Sequence, residues 1–371
     1  MELKKVSPFP FYLKLGCVLV SLISIGYLAI LGKEVLSPLI FSGLFSILLL
    51  PICGFFERKL RLPRSAASMF SVIILILGIT AVLYTVGTQI TRLASDWPQF
   101  QRQMNTSVDK IQNWISYTFH VAEKKQDKII DNATKEVLSS GTAVAGATIL
   151  SISSILLFLV FTFIYTFFFL LYRKLIMTFL ESVFLDENKQ VVHDILEQIQ
   201  YIIRKYITGL LIEMGIVAGT VSVTFLILGI PYAILLGLIT GLFNIIPYIG
   251  IFSAMVLSCV ITIGTTASVS KLVMVVVVIV ITHLLDSNVL LPMVVGSKVR
   301  INALITVLGV IIGEMIWGIT GMFLSIPIIA VMKIIFDRVD SLKSWGIILG
   351  DEEKKQNKLA KNPPKALKNK T

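Results

Sequence analysis

Six polar side chains stand inside long apolar runs of this 371-residue sequence: Glu213, Asn244, His283, Asp286, Asn288 and Glu314. An ionisable group in such a run is expensive to bury, and by default it marks an ion or solute pathway. His283 and Asp286 are three residues apart on one helix face, where an imidazole and a carboxylate can pass a proton or help hold a cation. The plainer reading is an interfacial pair that meets water. Glu213 lies about one turn into its run, so a snorkelling acid is its alternative. Glu314 lies between Gly313 and Gly318, where a broken helix exposes backbone groups able to line a cavity, and it is the leading single candidate. Asn244 and Asn288 stand shortly before Pro247 and Pro292; each amide donates and accepts, and so suits either a polyol or orphan carbonyls. Ser287, His283 and Asp286 do not form a hydrolytic triad, because all three share one helical turn and no nucleophile elbow is present.

The segments that must position these groups are organised around two overlong apolar stretches, Pro231–Thr265 and Ile301–Phe336. The first is interrupted at Asn244, Pro247 and Gly250, the second at Gly313, Glu314, Gly318 and Gly321. About 20 residues cross a bilayer as a helix, so each stretch is too long for one plain crossing. A break inside hydrocarbon needs protein or a water-filled cavity to satisfy its freed backbone groups. Each is therefore either a re-entrant hairpin or a kinked crossing. If both are hairpins, the single span between them makes them open from opposite faces, the inverted repeat suited to alternating access. As a hairpin, the first stretch leaves Lys271 outside and puts Lys298 and Arg300 inside, which positive-inside favours. The repeat is also visible in small residues: Gly237 and Gly241 in the first stretch answer Gly309 and Gly313 in the second, both as G-x-x-x-G. The plainer reading of that spacing is ordinary close helix packing.

Composition sets the class. The chain is 56% hydrophobic and 15% charged, with a mean hydropathy of +0.87. Soluble domains carry nearer 25% charge, so an all-α polytopic membrane protein of about eight hydrophobic segments is expected. The net charge of +11 comes from short basic runs beside apolar spans and does not point to nucleic acid. Cys17, Cys53 and Cys259 sit in apolar segments at no metal-ligand spacing. No nucleotide-binding loop or metalloprotease motif is present, so neither an enzyme nor a cofactor is expected.

Along the chain, spans at Phe11–Leu31, Val35–Phe56 and Ser68–Ile90 make an N-terminal unit, residues 1–90. The cluster Arg58, Lys59, Arg61, Arg64 places its loop and the N-terminus in the cytoplasm. Residues 91–147 are the polar insert. Asp96-Trp97-Pro98 reads as a helix break and restart with Asp96 as cap. A stripe then follows through Leu93, Trp97, Phe100, Met104, Val108, Ile111, Ile115 and Phe119 at spacings of three and four. It packs either on its own return helix or between subunits. Residues 148–206 hold a fourth span, closed by Arg173 and Lys174, and an amphipathic helix over 181–206 lying along the interface. Residues 207–345 carry span five (Ile207–Gly229), the two broken stretches and span seven (Leu272–Leu291). Residues 346–371 form a basic, disordered cytoplasmic tail.

Several motifs in the C-terminal half resemble those of the autoinducer-2 exporter family of bacterial permease-like proteins. Tyr206-Ile-Thr-Gly209 opens span five. Leu228-Gly-Ile-Pro231 leads to Asn244 and then to Ile246-Pro247-Tyr248-Ile249-Gly250. Asp286-Ser-Asn288 continues to Pro292 and Gly296, and Gly313, Gly318, Gly321 and Pro327 close the pattern. The sequence departs at Ile251 and near Asn302–Ala303, where many members carry proline. The resemblance implies a multi-pass protein of the bacterial inner membrane that exports the signalling furanosyl diester or another small polar solute. Some relatives are thought to exchange sodium or lithium for protons, so coupling to H+ or Na+ is the alternative. The expected partners are the bilayer, a small solute and further copies of the chain. A non-transporting oligomeric scaffold is a third reading. The expected pathway residues are Asn244, Pro247, Gly250, Asp286, Asn288, Glu314, Glu213 and His283. The hinge or packing residues are Gly237, Gly241, Pro292, Gly296, Gly309, Gly313, Gly318 and Gly321.

Overall fold

The computed structural model describes residues 10–107, 153–290 except Tyr248 and Ala267, Met293, and 301–350. The stripe beyond position 107, its return helix, Pro292, Gly296, Lys298, Arg300 and the tail from position 351 lie outside the described residues; residues 346–350, expected to be disordered tail, are instead ordered in the short helix Lys343–Leu349 and the bridge at Gly350. Within them the protein is helical, and the one bridge between extended residues joins Ile301 to Gly350. Seven helices among the described residues are long and apolar enough to cross a membrane. The protein is an all-α polytopic membrane protein.

Helix α1 (Phe11–Leu31), α2 (Lys33–Arg58) and α3 (Arg64–Ser95) match the first three expected spans to within a few residues. The chain turns at Asp96 and restarts as α4 (97–107). Asp96 caps nothing with its side chain; its carboxylate instead accepts from the Tyr232 hydroxyl, 136 residues away. The fourth span is α5 (Ser153–Leu171), followed by the short α6 (Arg173–Ser182). At the junction Arg173 pairs with Glu57 at the end of α2, which ties α5 and α6 to the basic end of the molecule.

The structure also moves the boundary before span five. The amphipathic stretch and span five are one helix, α7 (Lys189–Ile227), 39 residues long. At 1.5 Å per residue it runs about 58 Å, and no glycine or proline interrupts it between Lys189 and Tyr206. Its first turns carry charge because they pack on α6 and on the chain's last long helix, with the His193 ring bonded to Glu181 of α6.

Both broken stretches turn back on themselves. The first is α8 (Ala233–Phe243) and α9 (Ile249–Thr265). The two ends of the stretch meet: Pro231 and Tyr232 line the same cavity as Gly264 and Thr265. The second stretch is α11 (Ala303–Trp317) and α12 (Ile319–Arg338), which follow α10 (Val269–Leu285). Gly313 faces Gly321 backbone to backbone, and Gly309 faces Ser325 and Ile329, the register of an antiparallel pair. Arms of 11 and 15 residues are about 16 and 22 Å long, short of a roughly 30 Å hydrocarbon layer.

The hairpins lie along α7 and open at its opposite ends. At the mouth of the first, Lys271 donates to the carbonyl of Gly229, just beyond the C-terminus of α7. At the mouth of the second, Arg338 donates to Gln198, near the N-terminus of α7. Two apolar cores follow this division. Val217, Val221 and Phe225 of α7 pack with Leu235, Leu236, Ile261, Val275 and Ile279. Ile203, Tyr206, Ile207 and Leu210 pack with Leu44, Trp317 and Leu324. Burying each such side chain contributes about 1.5–3 kcal/mol against water; against lipid the advantage lies in close packing. Small residues provide that packing. Gly237 and Gly241 of α8 lie on Ser222, Ala218 and Met214 of α7, with no room for a Cβ.

The two missing prolines have physical substitutes. Asn302 caps α11, its side-chain oxygen accepting from the Leu304 amide at 2.9 Å. Ile251 packs against the first core.

Candidate functional site

Midway along α7, three of the expected residues converge. Asn244 donates from Nδ2 to Glu213 Oε1 at 3.0 Å and to Asp286 Oδ2 at 3.0 Å. Both carboxyl groups therefore lie within hydrogen-bond reach of one nitrogen. They are also shut away from solvent, with Glu213 3% and Asp286 5% exposed. Their other oxygens, Glu213 Oε2 and Asp286 Oδ1, are buried without a hydrogen-bond partner. This arrangement is costly, because burying charge without compensation costs several kcal/mol per ion. It can hold a proton or a small cation between the carboxyl groups, with Asn244 as a neutral spacer.

Local structure explains how each member arrives. Glu213 projects from unbroken helix toward α8. Asn244 is the residue at which α8 ends, its own N–H still bonded to the Thr240 carbonyl. Pro247 and Gly250 then make the turn: Gly250 donates to Ile246, and its α-carbon lies so close to the Phe243 carbonyl that a side chain cannot fit. Asp286 opens a π-helical turn, Asp286–Leu290, at the end of α10. Such a widened turn rotates the residues beyond it and is frequent at functional sites.

The same turn separates residues that spacing had grouped. The His283 ring does not bond the Asp286 carboxyl group, although the Asp286 N–H bonds the His283 carbonyl, and His283 Nδ1 is buried without a partner. Ser287 Oγ and Asn288 Nδ2 bond back to the carbonyls of His283 and Leu284, at 2.6 and 2.7 Å. Asn288 is exposed, and its side chain is not among the groups bonded to Asn244. Glu314 is exposed on α11. The break beside it is closed by the Gly318 N–H, which donates to the Glu314 carbonyl at 2.7 Å. Gly318 takes φ +64 there, a conformation that costs glycine little.

Two contacts have no sequence signal. Trp317, at the tip of the second hairpin, donates from Nε1 to the Ala29 carbonyl of α1 at 2.8 Å. The Tyr232–Asp96 bond fastens the mouth of the first hairpin to the start of α4. Burial, with the bond and the charge from Asp96, pushes the Tyr232 phenol up to about 12, so it stays a donor across the physiological range.

An α-helical membrane protein with two opposed hairpins and buried carboxyl groups between them has the build of a transporter or permease. Comparison with known proteins agrees: a profile of AI-2E family transporters matches residues 19–341. The chain belongs to the AI-2E transporter family. It is 28% identical over 312 residues to "Putative transport protein YrrI" of Bacillus subtilis, covering 81% of this chain and 86% of that one. It is 22% identical over 329 residues to "Putative transport protein YhhT" of Escherichia coli K12, covering 86% and 89%. With "Putative permease PerM" of the same organism it shares 26% identity over 210 residues, covering 56% and 59%.

Proposed function

We propose that the protein is a secondary transporter of the bacterial inner membrane that moves a small polar solute outward by alternating access. Glu213, Asn244 and Asp286 form its coupling site. The observation that carries this reading is the pair of buried carboxyl groups sharing one asparagine amide. In a closed site the pair is stable with a proton or a small cation between its oxygens, and opening to water on either side releases that charge. The hairpins support the alternating part, since each gives the centre a route to a different end of α7. In this reading the end bearing Arg58, Lys59, Arg61 and Arg64 is cytoplasmic, as are both termini, and the first hairpin opens outward.

The exported solute is autoinducer-2 or another small polar molecule, as the family resemblance implies. The cluster also favours a second reading, sodium or lithium exchange for protons, in which the cation bound between the carboxyl groups is itself the cargo. Purified protein in liposomes separates the two. Asp286→Asn and Glu213→Gln are each expected to abolish gradient-driven flux while leaving the melting temperature near that of the parent. Loss of sodium-dependent proton movement with no solute present points to exchange. A double variant that keeps full gradient-driven flux of both solute and cation would sink the coupling site.

A further inference from the structure

A second polar cavity lies between α2 and α7, about 210 Å³ in volume and lined by Ile47, Leu50, Glu197, Gln200, Tyr201 and Arg204. That is the liquid volume of about seven waters. Leu50 stands just over two helical turns before Arg58, so the cavity lies about 12 Å inside the basic end of the protein. Its apolar wall packs beside the Leu44–Ile207 core. A charge at that depth is normally paired. Arg204 is half-buried, yet its guanidinium has no carboxylate or hydrogen-bond partner among the described residues.

The neighbouring groups are otherwise engaged. Glu197, two turns away on the same helix, lies 3.5 Å from the His193 ring, not from Arg204. Gln200, one turn away, donates its amide to the Met177 sulfur at 3.4 Å. Glu57, the carboxylate at the end of α2, is taken by Arg173. A guanidinium presents donors in a planar fork that matches carboxylate and phosphate oxygens, often two at once.

We infer that this cavity is a binding site for an oxyanion, a carboxylate or phosphate group anchored by Arg204. The site stands beside the transporter reading and does not depend on it; its ligand is any molecule presenting such a group. Arg204 stands nine residues from Glu213 on one helix, about 13 Å along the axis. Nine residues are also two and a half helical turns, so the two side chains leave opposite faces of α7 and a ligand held at Arg204 does not touch the carboxyl cluster. The same chemistry can come from a dissolved anion or from a lipid headgroup, and the experiment separates these sources.

Full-length protein in nanodiscs of purely zwitterionic phosphatidylcholine is titrated calorimetrically with sodium glutamate and with inorganic phosphate, using sodium chloride as control. Parallel samples with phosphatidylglycerol are examined by native mass spectrometry for retained lipid. The expected result is saturable binding of at least one oxyanion, or retention of phosphatidylglycerol, weakened about tenfold or more by Arg204→Gln and partly kept by Arg204→Lys. Glu197→Gln is expected to tighten binding about twofold by removing a nearby negative charge. A merely structural role for these residues does not give that opposite sign. Oxyanion binding and lipid retention unchanged in folded Arg204→Gln overturn the site, as does their absence from the parent protein. Binding that survives Asp286→Asn while flux is lost keeps this site separate from the coupling cluster, so either can fail alone.

Discussion

At the tip of the α8–α9 hairpin an asparagine amide lies between two buried carboxyl groups. At the tip of α11–α12 an indole N–H is bound to a main-chain carbonyl, and the nearest carboxylate, Glu314, faces outward. Both hairpins have a short first arm and glycine contacts that let backbones touch. What differs is whether the neighbouring helices offer the tip something polar. α7 and α10 bring Glu213 and Asp286 to the first tip, whereas the second meets the apolar side chains of α2 and α7. Glycine packing thus builds a hairpin, and the polar groups around its tip give it chemistry.

The comparison can be broken most severely at the glycine seams. Gly321→Leu forces a side chain into the Gly313 backbone and is expected to destabilise by about 3 kcal/mol or more, read as a lower melting temperature in detergent. Gly26→Leu, where nothing lies within 4 Å, is the control and is expected to be near neutral. Equal melting of the two variants would remove the seam as the cause. Next in size is Asn244→Ala, which leaves both buried carboxyl groups without their donor and is expected to cost about 2–3 kcal/mol. Glu314→Gln on the other hairpin should change stability by no more than about 0.5 kcal/mol. If Glu314→Gln also removes transport, the polar asymmetry drawn between the hairpins is wrong. Trp317→Phe removes one hydrogen bond and shrinks a buried ring, for about 2 kcal/mol. Smallest is Tyr232→Phe at the exposed mouth, about 0.5 kcal/mol, best seen as faster amide exchange in the turn at Gly229–Tyr232.

Much of this arrangement was legible in residue order. The overlong apolar stretches, their glycines and the single span between them already offered two hairpins opening at opposite ends, with kinked crossings as the alternative. Glu213, Asn244 and Asp286 stood out because polar groups are rare in such runs. Their convergence did not, because spacing reports neighbours on one helix only. It paired Asp286 with His283, whereas the Asp286 side chain bonds across to Asn244 at the end of α8. Glu314 was favoured on the premise that a break exposes backbone, and here Gly318 closes the break by bonding back. The charged first half of α7 read as a separate interfacial helix because its partner in the second hairpin, Arg338 bonded to Gln198, is 140 residues away.

The uninterrupted α7 has a mechanical consequence. In the proposed transport cycle, a stiff rod of about 58 Å with one hairpin mouth near each end would act as a seesaw with its fulcrum near Glu213. A tilt of about 5° that draws one end toward its hairpin swings the other end away by roughly 2–3 Å for that length. The two mouths are then geared to one another in opposite senses, with no signal needing to pass through the side chains between them.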